Sequence, residues 1–395
     1  MILVPSQMGR HNKRALLEHL RRVGTASRAD LAKSLGLSQP TVGKIADELL
    51  NLGVFEEEEL GKVPAGKRES GNLPALNGLG SRLGRPARML RLNRSAPRFL
   101  GLQLGVETTR LTLLSLGATG QEECAVEFKT PGDAKGWLHE LRQSARQIPH
   151  KSFWGILASV PGLVDERDGR ILYSPNLHWT EKAAVVSLIQ QIWTAPVVLI
   201  QEERALALGQ YAVEPEEGNF LLADFAEGVG GAIMIGGKLY SHPLPISGEL
   251  GHTPVVGNDR RCGCGAVGCL ETLTSYRGLL KSFAAASPKS PRTWKAFSES
   301  IAAEGISPWL ARTLDAAAAV IAGALNILGV RTVVITGTMA ELPPIVFSRL
   351  SGAIVKGVLW GRFGEVQVRT APRRRNIGLV AAGLERLIVP ENPNG

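Results

Sequence analysis

The chain has 395 residues, 44% hydrophobic and 21% charged, an ordinary globular composition with length enough for two or three domains. Its net charge of +9 is uneven: residues 1–98 carry 17 Lys and Arg against 9 Asp and Glu, and the remainder 28 against 27. The basic excess therefore belongs to the first quarter, the footprint of a polyanion-binding module on a neutral body or of a solvated basic face.

The opening MILVPSQMGRHNKR turns basic and polar after four residues and makes a poor signal peptide. No uninterrupted apolar run approaches about 18 residues, which argues against a membrane span. Cysteine is scarce and Cys124 has no obvious partner, so a cytoplasmic, reducing location is expected.

Residues 12–23, NKRALLEHLRRV, place Leu16, Leu17, Leu20 and Val23 at helical spacing. In SRADLAKSLGL, Ser27 and Asp30 have the form of a capping box. They open a short helix with Leu31 and Leu35 inward, and Gly36 suits the left-handed turn after it. Ser38 caps a third helix in SQPTVGKIADELLNLG, with Val42, Ile45, Ala46, Leu49 and Leu50 as its buried stripe and Gly53 as its end. Two helices joined by LGLS, the second with a polar N-terminal face, match a helix-turn-helix. On that face Ser38, Gln39, Thr41 and Lys44 would point into a major groove, Gln and Lys reaching base edges while Ser and Thr hold phosphates or bases at short range. A three-helix packing module without DNA is the other reading.

VFEEEEL and ARMLRLN look like the two strands of a wing. The stretch between them, about residues 61–88, is rich in Gly, Pro and basic residues and too long for a tight wing, so mobility is expected there. Its end, RLGRPAR, offers Arg82, Arg85 and Arg88 to a narrow minor groove, or is a solvated linker.

From Phe99 the texture changes to α/β. FLGLQLGVETTRLTLLSL predicts a strand, a glycine turn and a second strand; WGILASVPGLVD predicts a buried strand leading into a loop. APVVLIQEERALALGQYA predicts a strand running into a helix, and FLLADFAEGVGGAIMIGGKLY a hairpin with a glycine-dense turn. DAAAAVIAGALNILGVRTVVITG predicts a long helix, a turn and a strand. The two glycine-turn hairpins could be counterparts in a duplicated fold.

Between these elements, GELGHTPVVGNDRRCGCGAVGCLET gathers three of the four cysteines. His252, Cys262, Cys264 and Cys269 make H-x9-C-x-C-x4-C, the donor set of a closed tetrahedral zinc site, with Gly263, Gly265 and Gly268 letting the backbone fold around the ion. Four protein ligands leave no open position, so such a metal is structural. Three free thiols packed as small hydrophobes are the alternative.

With these motifs the chain resembles the ROK family of bacterial repressors and sugar kinases, in its repressor branch. The similarity runs from residue 10 to residue 388: the helix-turn-helix, the GRP element before LRLN, the two glycine turns, GELGH and CGCGAVGCLE. It implies an α/β, actin-like (ribonuclease-H-like) ATPase fold of two lobes around a sugar cleft, preceded by a winged helix-turn-helix. The expected domains are residues 1–93 and 98–390, with the Zn2+ loop at 248–272 presenting the sugar contacts. Matched residue by residue, those contacts are Asn176, Glu202, Glu249, His252 and Glu271, with one ring nitrogen of His252 on zinc and the other toward the ligand.

The kinase members of the family carry an Asn-Asp pair whose aspartate is the general base. Gln201 and Glu202 stand there, and the longer glutamate moves the carboxylate by about one bond length, enough to matter in a pre-organised site. The first phosphate turn, Asp-x-Gly-Gly-Thr in the family, reads Gln103-Leu104-Gly105-Val106-Glu107. The second, Gly-Thr-Gly-x-Gly-Gly, reads Ala226-Glu227-Gly228-Val229-Gly230-Gly231. Carboxylates replace hydroxyl donors in both and would repel ATP. The expectation is a DNA-binding regulator, a repressor, that senses a sugar or sugar phosphate in a degenerate kinase cleft. It would bind an inverted-repeat operator as a homodimer or homotetramer, away from any membrane. A bifunctional sugar kinase with a DNA-binding head is the alternative, and a cleft that receives a protein partner a third.

Overall fold

Leu16, Leu17 and Leu20 are buried together on α1 (Pro5–Val23) and start the first unit, while Val23 is exposed at the helix end rather than inward as its spacing suggested. The computed structural model describes residues 5–59, 88–94, 97–120, 122–149, 152–215, 217–240 and 247–389. It divides into one unit of residues 1–96 with 115–117 and 388–395, and another of residues 97–114 and 118–387.

In the first unit, β1 (Thr25–Ser27) precedes α2 (Arg28–Leu35) and α3 (Gln39–Asn51). The capping box forms: Asp30 N–H donates to Ser27 Oγ at 3.1 Å, and Ser27 N–H returns to Asp30 Oδ2 at 3.3 Å. Gly36 takes the left-handed conformation at φ 64° that lets α2 stop and α3 turn away. Val42, Ile45, Ala46 and Leu49 are buried, with Leu35 and Leu50 half-buried at the edge. β2 (Phe55–Glu59) and β3 (Arg88–Leu92) pair antiparallel, Phe55 opposite Leu92 and Glu57 opposite Leu90. Four glutamates make a poor strand by propensity; here Arg91 meets Glu56 at 2.7 Å, and Arg28 and Arg88 hold Glu57 at 2.7 and 2.8 Å. β1, not foreseen as a strand, completes the sheet on the other side of β3.

The second unit opens with β4 (Pro97–Leu104), β5 (Thr108–Ser115), β6 (Cys124–Lys129), α4 (Ala134–Ala145) and β7 (Gly155–Val160). A small ribbon, β8 (Leu163–Asp165) with β9 (Arg170–Tyr173), and the short helices α5 (Trp179–Lys182) and α6 (Val185–Gln190) lead to β10 (Val197–Gln201). Then α7 (Glu202–Val213) crosses to β11 (Phe220–Phe225), β12 (Val229–Ile235) and β13 (Lys238–Leu239). After the cysteine loop come α8 (Glu271–Thr274), α9 (Tyr276–Ala286), α10 (Trp294–Glu304) and α11 (Pro308–Leu328). The chain ends through β14 (Thr332–Gly337), α12 (Pro344–Gly357), β15 (Gln367–Thr370) and α13 (Arg375–Gly383).

Two five-stranded sheets result, ordered β10-β7-β4-β5-β6 and β13-β12-β11-β14-β15. Each places its glycine-turn hairpin beside two parallel strands, so the two hairpins are counterparts of one repeated lobe. β7, β11 and β14 are buried along their whole length, as strands covered on both faces must be. The long helix α11 is apolar and long enough by composition to cross a bilayer. It instead sends Leu310, Leu314, Ala317, Ile321 and Leu325 into the core beneath the second sheet.

Candidate metal loop and ligand cleft

In the first unit, the residues expected to meet DNA line the start of α3. Ser38, Gln39 and Lys44 are exposed and Thr41 half-buried. Ser38 Oγ accepts Thr41 N–H at 3.3 Å and lies 2.8 Å from Thr41 Oγ1, so both hydroxyls serve the helix cap and leave Gln39 and Lys44 as the free long side chains of that face. Arg88 begins β3 with Glu57 as its counter-ion, which makes it part of the wing before it is an arm. Arg82 and Arg85, with the expected wing loop, lie outside the described residues.

In the second unit, the GELGH segment makes a single tight turn at Leu250–His252. Gly248 has φ 95°, and a Cβ there would stand 1.9 Å from Gly231 O, so only glycine lets this segment press against β12. The cysteine loop is tied by the backbone bridges Pro254–Cys269 and Arg261–Val267. Asn258 Nδ2 donates to Cys269 O at 3.0 Å, and Arg260 reaches Thr272 O at 2.7 Å and Ser282 Oγ at 2.9 Å.

These ties bring His252, Cys262, Cys264 and Cys269 together, one donor atom from each lying within 4.8 Å of the others. Cys264 Sγ is 3.6 Å from Cys269 Sγ, and Cys262 Sγ is 3.7 Å from His252 Nδ1. A tetrahedron with metal–sulfur bonds of about 2.3 Å has edges of about 3.8 Å, so the spacing fits one metal ion. Burial raises the Cys262 thiol to about 12 and Cys269 in the same direction; a bound cation is what would bring thiolates to such a place. The other face of the imidazole looks away from the thiols: His252 Nε2 is 3.8 Å from Glu249 Oε2. One histidine thus joins the metal loop to the cleft acids.

Glu271, two residues past Cys269, accepts Val229 N–H on Oε2 at 3.0 Å, which seats it on the second glycine turn. Glu249 accepts Gln201 Nε2 on Oε1 at 3.4 Å. Burial raises the Glu249 carboxyl, His252 works against that, and Glu271 adds to it. Asn176 is exposed beside the loop, its Oδ1 3.3 Å from where a Cβ of Gly263 would stand. The expected contacts Asn176, Glu249, His252 and Glu271 therefore gather around one segment.

Glu202 is different. Its carboxylate accepts from Arg373 at 3.0 Å and from Arg375 at 2.5 Å, and Arg373 also holds Asp224 at 2.9 Å. Asp224 in turn accepts Thr336 Oγ1 at 2.8 Å. Burial alone would raise the Glu202 carboxyl, but Arg375 and Arg373 hold it below the usual carboxylate range. A carboxylate so paired is a poor proton acceptor. Sequence reading passed over Arg373, Arg375, Asp224 and the neighbouring Glu203; the run RRR before the last helix was the available signal. It also passed over Arg277, whose guanidinium binds both Glu107 and Glu227, the acids of the two glycine turns.

Two duplicated lobes with facing glycine turns, a carboxylate-lined cleft and a His-Cys loop define the sugar-kinase-like branch of the actin fold, here carrying a helix-turn-helix. The ROK family signature matches residues 99–383, and the chain belongs to the ROK family. It is 30% identical over 288 residues to the xylose repressor of Caldicellulosiruptor bescii, covering 69% of this chain and 67% of that protein. A ROK family transcriptional regulator, a homologue of the E. coli MLC protein, has the same fold over 97% of both chains, with TM-score 0.74 and 21% identity. A ROK family glucokinase from Streptomyces griseus in complex with glucose and AMPPNP covers 72% of this chain and 97% of its own, with TM-score 0.59 and 20% identity. The fold and family implied by the resemblance are those found.

Proposed function

We propose that this chain is a sequence-specific transcriptional repressor of carbohydrate metabolism whose kinase-like cleft senses an unphosphorylated sugar and carries out no phosphoryl transfer. The observation that carries the reading is the pairing of Glu202 with Arg373 and Arg375. A general base must accept a proton, and this one is buried in the ionised state by two cations. The paired xylose-repressor relative supports a pentose as the first effector to try.

The arginines of the cleft also bear on the effector. Arg373 and Arg375 are engaged by Glu202 and Asp224, and Arg277 by Glu107 and Glu227. A sugar phosphate would meet the carboxylates of Glu249 and Glu271, which favours an unphosphorylated sugar over a sugar phosphate as the effector. Paired hydroxyls suit Glu249, Glu271 and Asn176 as acceptors and a donor. Zinc is the metal that three thiolates and an imidazole fit best, as a structural ion that holds His252 and Glu271 toward the sugar; His252, Cys262, Cys264 and Cys269 would bind it.

On the DNA side, α3 is under four turns long and reads one half-site, so the protein acts as a homodimer or homotetramer on an inverted repeat. The test is footprinting of full-length protein with and without D-xylose, D-glucose and glucose 6-phosphate. The expected result is a two-fold symmetric footprint, relaxed by an unphosphorylated sugar through a coupling of about 1–3 kcal/mol. Lys44→Ala should reduce discrimination between operator and random DNA. An asymmetric single half-site, or an affinity that no sugar changes, would contradict the proposal.

A further inference from the structure

We infer that Arg277 is a built-in counter-ion that joins the two lobes at the mouth of the cleft and sets how readily the cleft opens. Its neighbours come from both lobes. Glu107 sits in the turn between β4 and β5, and Glu227 in the turn between β11 and β12. Arg277 Nη2 bonds Glu107 Oε1, and its Nε lies 3.4 Å from Glu227 Oε2. Both turns carry an acid where phosphate binding would want a donor, and one arginine neutralises the two together.

The attachments on either side are firm enough to transmit a pull. Arg277 is the second residue of α9, whose start is capped by Ser275 accepting Gly278 N–H at 3.2 Å. Tyr276 N–H donates to Ala226 O at 2.8 Å, which pins α9 to the second turn, and the Tyr276 ring stacks on Trp294 at 5.1 Å. Arg277 therefore moves with the second lobe, and Glu107 is its hold on the first. The first turn is closed by Gly105 N–H to Thr108 O at 3.0 Å and anchored by Thr130 N–H to Glu107 O at 2.9 Å. The path to the ligand side is short. Arg260 of the metal loop holds Thr272 O and Ser282 Oγ, and Thr272 follows the cleft residue Glu271.

The side chains of Arg277, Glu107 and Glu227 are 62%, 54% and 49% exposed. Exposed pairs of this kind bias an equilibrium by about fivefold at most, and salt weakens them. That magnitude suits a gate that a ligand must overcome, where a buried bridge would lock it. Removing Arg277 also leaves Glu107 and Glu227 facing each other, so repulsion adds to the lost attraction.

The inference rests on the sensor reading for its purpose, but its test needs no sugar. Amide hydrogen exchange of the full-length protein is measured by mass spectrometry at 20 and 500 mM NaCl, for wild type, Arg277→Ala and Glu107→Gln. At low salt, exchange in the peptides holding the turns 104–108 and 226–230 should be about two- to tenfold faster in Arg277→Ala, with the rest of the chain unchanged. Wild type should approach the variant at high salt, and Glu107→Gln should lie between them. If Arg277→Ala speeds exchange throughout the chain, Glu107→Gln decides by the same comparison. Turn exchange that is equal in wild type and variants at low salt, or insensitive to salt in wild type, overturns the latch and leaves the sensor standing.

Discussion

Glu203 is the first residue after the altered base position, and replacing it with glutamine should make the sensor unit more stable in alkali. Although the residue as a whole is only half-buried, its Oε2 is sealed from solvent with no hydrogen-bond partner among the described residues. Its Oε1 lies so close to Gly230 that a Cβ there would stand 2.7 Å away. Burial, then Asp224, Glu202 and Glu249, push the carboxyl from 4.5 up to about 8. The unfolded chain gives up this proton near 4.5, and the folded one keeps it until about 8. Between those values the folded state binds more protons, so stability present in full below 4.5 is lost as pH rises toward 8. At about 1.4 kcal/mol for each pH unit of that window, the loss is of the order of a few kcal/mol. Glu203→Gln keeps the shape and removes the charge. All seven tryptophans fall between residues 137 and 360, so their fluorescence follows unfolding of this unit in urea. Wild type and variant should match near pH 5 and separate by a few kcal/mol at pH 8.5, the variant being the more stable. A difference that stays constant from pH 5 to 8.5 would refute a protonated Glu203.

Protein purified without chelators should carry about one zinc per chain by elemental analysis, and Cys264→Ser should release it. Loss of the sugar response should come before loss of fold, because the ligands all sit in one loop outside both sheets; metal-free protein from a chelator-free preparation would sink the site. ATP hydrolysis across a sugar panel should stay at the background of a Glu202→Gln control. Robust turnover that this substitution abolishes would make the chain a kinase after all.

Where the determinants are close in sequence, they were legible there. The capping box spans Ser27 to Asp30, the buried stripe of α3 repeats within its own helix, and the metal ligands lie within 18 residues of one another. Glycine spacing and the strand-helix alternation were enough for the two lobes, through the family resemblance that they carry. The acids at 107 and 227 and the pair at 201 and 202 were equally visible, and they were the sequence's argument against a nucleotide site. Their partners were not visible. Arg373 and Arg375 stand 171 and 173 residues from Glu202, and Arg277 stands 170 from Glu107. A sequence pattern shows which face of an element is apolar and where a charge stands, because those are properties of neighbours along the chain. Which cation answers which carboxylate depends on how two sheets and α13 are packed, and that is decided only when the chain has closed on itself.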